Sequence, residues 1–153
     1  MKKLILVILA LSIIVSVAPF RASADSVHSG DTQIKTIELE DGATIEIITE
    51  TVKISRSSII SHVDYIYSES GTAKWKASLI GYFTYNGTTA VCTSSSLSFT
   101  IYDSAWSVSS SNATKSGATA IGTFTMAKKI LGITVSTVSD SLTLTCDPNG
   151  NIT

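Results

Sequence analysis

The chain has 153 residues, a formal net charge of −1 and only 15% charged side chains, which is the size of one domain and too short for two comfortable ones. Charge argues against a nucleic-acid partner, because such a surface needs a basic face with arginine and aromatic residues interleaved, and beyond residue 24 the only arginine is Arg56. Ser and Thr fill 22 and 20 of the 129 positions after residue 24, a composition suited to strands whose outer face is polar without being charged.

Taken in chain order, Lys2 and Lys3, the unbroken apolar run Leu4 to Leu11, further apolar residues to Phe20 and the small side chains of Ala22-Ser23-Ala24 read as a secretory signal peptide over 1–24. Cleavage is expected between Ala24 and Asp25, which makes the protein extracellular or cell-wall associated. Removing Lys2, Lys3 and Arg21 leaves eight basic against twelve acidic residues, a net charge of −4. Residues 25–33 are polar and aperiodic, expected as a flexible lead-in to a single domain over 34–153. Seven acids and one lysine lie between Asp25 and Glu50, whereas seven basic residues face five acids from Thr51 on. That asymmetry suits either a solvated arm or an intramolecular match.

Ile34 to Glu40 and Ala43 to Thr49 are β-rich runs separated by the turn pair Asp41-Gly42, a hairpin signal. Glu38, Glu40 and Glu46 alternate with apolar residues and so point to solvent. Val63, Tyr65 and Tyr67 share one face of the next strand and His62, Asp64 and Ile66 the other. Ser68 to Gly71 turns the chain into the clearest strand, with Ala73, Trp75, Ala77, Leu79, Gly81, Phe83 and Tyr85 on one face. Asn86-Gly87 then predicts a two-residue hairpin that pairs Tyr85 with Thr88 and Gly81 with Cys92. The apolar parity changes to Leu97, Phe99 and Ile101, so a bulge or bend is required within Thr93 to Ser96, the device of a strand that switches sheets. Ala105 to Val108 reads as a short strand, Ser109 to Gly117 as a loop, Ala118 to Met126 as a strand, and Ile133 to Thr137 and Ser141 to Cys146 as two segments around Asp140.

Seven to nine strands without helical periodicity predict an all-β antiparallel sandwich, immunoglobulin-like in the broad sense. The immunoglobulin pattern is not met, since Trp75 precedes Cys92 and only Trp106 lies between the cysteines. An even cysteine count in an exported chain reads as a disulfide. Cys92 and Cys146 allow one intramolecular pairing, with a chain-entropy ceiling of about 4 kcal/mol.

The segment W-x-A-x-L-x-G-x-F-x-Y-N-G-T-T-A-x-C from Trp75 to Cys92, the later GTFTMAKKILGI and the closing LTLTC resemble a group of small secreted proteins of Gram-positive bacteria. The resemblance covers about the last two-thirds of the exported part and rests on structural motifs. It implies export from a one-membrane cell and carries over no site residues.

No nucleophile elbow or zinc-binding helix is present. A triad assembled from a distant serine, His62 and Asp64, or a metal site on those two, competes with a plain polar strand face in water. The glutamates alternate too regularly for a glycosidase cleft. Tyr65, Tyr67, Tyr82 and Trp106 are candidate surface aromatics for a protein or cell-surface glycan partner, against a reading in which the tryptophans are core. Ser94 to Met126 has the Ser/Thr alternation of pore-lining hairpins, or equally of sandwich strands with hydroxyl outer faces. Three N-x-T matches, at Asn86, Asn112 and Asn151, are explained by chance in so Thr-rich a chain. The expectation is a non-enzymatic binding module without a cofactor, with a membrane-active protein or a secreted hydrolase as the alternatives.

Overall fold

The structure, a computed structural model, describes residues 31–153; the expected signal peptide and the expected Ala24/Asp25 cleavage point lie outside the described residues. The eight strands are β1 (Asp31–Glu38), β2 (Thr44–Ser55), β3 (Ser58–Glu69), β4 (Thr72–Tyr85), β5 (Ala90–Ile101), β6 (Trp106–Ser116), β7 (Thr119–Ile130) and β8 (Ile133–Thr145). They form an antiparallel β-sandwich of a five-stranded sheet, β1-β2-β3-β4-β5, and a three-stranded sheet, β6-β7-β8. Every sheet neighbour is a chain neighbour, so the connectivity is a meander and the likeness to immunoglobulin domains stops at architecture. Among the described residues no helix is long and apolar enough to cross a membrane.

Strict alternation in β3 and β4 puts Val63, Tyr65, Tyr67, Trp75, Ala77, Leu79 and Phe83 inside. Trp75 stacks on Tyr65 and Tyr67, with ring centroids 5.4 and 5.3 Å away, and meets Phe124 of β7 edge-on at 5.7 Å. One tryptophan therefore ties the two sheets together, and offset or edge-on aromatic pairs add to the area it buries. The indole N–H groups of Trp75 and Trp106 have no acceptor among the described residues.

The hairpin at Asn86-Gly87 is wider than the sequence predicts. Asn86 Oδ1 accepts from the backbone N–H groups of Thr88 (3.0 Å) and Thr89 (2.8 Å), and this side-chain turn opens a four-residue loop in which Tyr85 pairs with Ala90. Cys92 consequently faces Phe83 rather than Gly81. The register shift follows at once, with Tyr82 opposite Ser94 and Thr93 left as the extra residue. It re-aims β5 without moving it between sheets. The chain changes sheets later, at Asp103 to Ala105, where Asp103 Oδ1 accepts from Ala105 N (2.9 Å) and Asp103 O from Trp106 N (3.0 Å).

Ser109 to Gly117, expected as a loop, is mostly the edge strand β6, and β8 runs unbroken past Asp140. β6 is exposed on both faces beyond Trp106 and β8 over most of its length. β6 shows no alternation that would announce it, whereas the two segments read at Ile133–Thr137 and Ser141–Cys146 are joined into one strand. β1 begins at Asp31, inside the expected lead-in, and pairs with β2 from Asp31↔Thr51 to Glu38↔Thr44. The backbones of the two sheets approach most closely at β5 and β6, while β1 and β2 have no strand of the second sheet as near. The sandwich is thus closed along one side and open along the other.

Candidate functional site

Of the four candidate surface aromatics, Tyr65, Tyr67 and Trp106 are buried, at 2%, 4% and 2% exposure. Their parity decides this: Tyr65 and Tyr67 share the inward face of β3 with Val63, and Trp106 opposes Lys128 at the start of β6. Burial and then the charge of Asp140 on β8 push the Tyr65 hydroxyl up. Tyr82 is 41% exposed and lies on the outward face of β4. Tyr102, which the sequence reading missed, is exposed just before the crossing turn.

Pairing across the five-stranded sheet aligns Val52, Ile60 and Tyr82 in one outward row. Neighbouring strands lie about 4.8 Å apart, so the three side chains touch solvent as a continuous strip. Val91, paired with Thr84, is exposed on its flank, and Ile80 is half-buried in the next row. That next row contains Glu50 opposite His62 and His62 opposite Ile80, with His62 Nε2 3.5 Å from Glu50 Oε2. A third row holds Asp64, which accepts from Lys76 Nζ at 2.9 Å and from Ser78 Oγ. The face therefore grades from an aliphatic strip carrying one phenol to paired charges. β-Branched side chains form this strip because a pleated outer surface accommodates them, and among the described residues no element covers it.

His62 and Asp64 do share a strand face, but the structure does not join them into a catalytic relay. Each is engaged sideways by its neighbour on the adjacent strand, Glu50 for one and Lys76 with Ser78 for the other. Among the described residues no three metal-ligating side chains converge.

Cys92 and Cys146 are buried and unbridged. Their backbone N–H groups donate to successive carbonyls of the β6–β7 turn, Gly117 (2.8 Å) and Ala118 (3.0 Å). The two thiols are not bonded to each other in this structure; each lies by a carbonyl of its own chain segment, Ser94 O at 3.3 Å and Asp147 O at 3.4 Å. Burial pushes both thiols up; for Cys146 the charges of Asp147 and Cys92 act in the same direction.

No family model matches the chain, and no curated protein or solved structure matches it.

Proposed function

We propose that the protein is an exported, non-enzymatic interaction module and that the outward strip Val52–Ile60–Tyr82, bordered by Glu50 and His62, is its contact surface for a partner protein. The observation that carries this is an aliphatic and phenolic row on an open sheet face, with hydrogen-bonding side chains one row away. Aromatic and aliphatic centres with polar rims are the anatomy of protein interfaces. A glycan site would draw on more than one aromatic platform, and this strip has Tyr82 alone.

Co-sedimentation of the purified exported protein with bacterial cell walls, with insoluble polysaccharide and with liposomes tests the reading. Saturable pelleting with walls that falls at least tenfold in Tyr82→Ser and Ile60→Ser, and survives removal of wall glycan but not of wall protein, supports it. Pelleting with pure polysaccharide transfers the surface to glycan binding, and pelleting that both variants leave unchanged rejects the strip.

A further inference from the structure

The strongest unexplained feature is the end of the β7–β8 hairpin. Ile130 pairs with Ile133 and the chain reverses in two residues, Leu131 and Gly132. Leu131 is 98% exposed, Ile133 69% and Ile130 54%. Leu131 also has φ +50° and Gly132 φ +81°. Positive φ at both central positions is the tight hairpin turn that favours Asn-Gly or Asp-Gly, because a β-carbon crowds the backbone there. A leucine in that position is strained and fully wetted at once. Folding explains neither, since an asparagine would suit the backbone and the water better.

The β3–β4 hairpin at the same end of the sandwich supplies an internal control. It also reverses in two positive-φ residues, Ser70 (φ +52°) and Gly71 (φ +73°), between Glu69 and Thr72. Same turn, polar residues. The apolar content of the β7–β8 tip is therefore not demanded by its geometry.

We propose that the β7–β8 tip is a membrane-docking hairpin that inserts Ile130, Leu131 and Ile133 into a phospholipid surface. The tip is narrow and convex, a shape that a deformable acyl region accommodates. Ile130 and Ile133 already close the hairpin, so its cross-strand hydrogen bonds enter the interface satisfied. Lys129, opposite Thr134 on the other face, is exposed and has no carboxylate partner among the described residues. Its position one residue from the apolar cap matches the headgroup phosphates, where a lysine stem can lie along apolar surface with its ammonium in water. Lys128 is spent inside, 2.7 Å from Glu69 and over the Trp106 ring at 5.8 Å, which anchors the base of the hairpin. The polar turns Asp41-Gly42 and Ser70-Gly71 at the same end limit insertion to the tip. This inference is independent of the Val52–Ile60–Tyr82 strip.

The test is partition of the exported protein onto vesicles of phosphatidylcholine, with and without phosphatidylglycerol. Binding is expected to both, stronger with the anionic lipid. Leu131→Asn should weaken it about tenfold while leaving the thermal midpoint unchanged or higher, and Lys129→Gln should lose about fivefold on the anionic vesicles alone. In a Leu131→Trp variant, brominated lipid should quench the new emission, whereas the buried Trp75 and Trp106 do not respond. Absence of binding by the unaltered protein, or binding that Leu131→Asn does not change, overturns the proposal. So does a dimer in sedimentation that Leu131→Asn converts to monomer without any vesicle binding, since the tip would then pair with a second copy.

Discussion

Two hairpins of this molecule, β3–β4 and β7–β8, turn at the same end with nearly the same backbone and opposite chemistry. The first closes on Glu69, Ser70, Gly71 and Thr72, and its strands hold Trp75, Leu79 and Tyr65 in the centre of the core. The second closes on Ile130, Leu131, Gly132 and Ile133, and the apolar residues of this tip face water although Phe124, Met126 and Leu142 further along its strands are buried. Apolar side chains in β3 and β4 stabilise the fold by leaving solvent; those at the β7–β8 tip do nothing for it. Hydrophobicity alone therefore does not separate core from surface here, and position relative to the end of the opposite sheet does.

The largest way to break that contrast is Trp75→Ala, which removes the ring stacked between two tyrosines and should cost about 4 kcal/mol in urea unfolding. A loss under about 1 kcal/mol would mean the aromatic cluster is not the centre of stability. Gly81→Ala is next. A β-carbon there would sit 2.6 Å from the Phe83 ring and 3.1 Å from Ala120, so about 2 kcal/mol of overpacking is expected in the same assay. Lys128→Met should cost about 1 kcal/mol, because it removes the ammonium from Glu69 and from the Trp106 face at the base of the second hairpin. Leu131→Asn reverses sign: relief of the positive-φ strain should stabilise by about 0.5 kcal/mol, within reach of careful thermal melts. A destabilisation there would show that the tip leucine packs against something in the folded protein.

The pH response tests the turns rather than the core. Backbone donation from Ala105 and the Lys74 ammonium hold the Asp103 carboxyl below its ordinary range, and donations from Asn151 and Asn149 do the same for Asp147. Depressed carboxyls stabilise the fold fully above about pH 4 and lose that contribution as pH falls through their lowered values. The Cys92 and Cys146 thiols, raised by burial, act on the alkaline side, with stability present below about pH 8.5 and lost as pH rises beyond it. Melting temperature should therefore fall below pH 4 and above pH 8.5. An acid limb unchanged in Asp103→Asn and Asp147→Asn together would assign it elsewhere. Oxidation would remove the alkaline limb: if the protein is exported as proposed, we expect a Cys92–Cys146 bridge and an intact mass two hydrogens below the reduced value. Two free thiols in the exported protein would refute the bridge.

Much of this was legible in the residue order. The period of two in β3 and β4 assigned Trp75, Leu79 and Phe83 to the interior, and the parity change after Cys92 located a bulge that falls at Thr93. The sandwich class followed from strand count and turn spacing. Both depend on local alternation, which a chain carries in its own order whatever it later packs against. What the residue order could not carry is which faces find a partner. Tyr82 lies outside because the second sheet covers only the opposite face of the first, the one that carries Tyr65. Beyond Val108, β6 is a strand without alternation, since pairing to β7 satisfies its backbone while its side chains are exposed on both faces. The tip leucine carried no signal in the residue order, because its exposure is set by where the β7–β8 hairpin ends among the described residues.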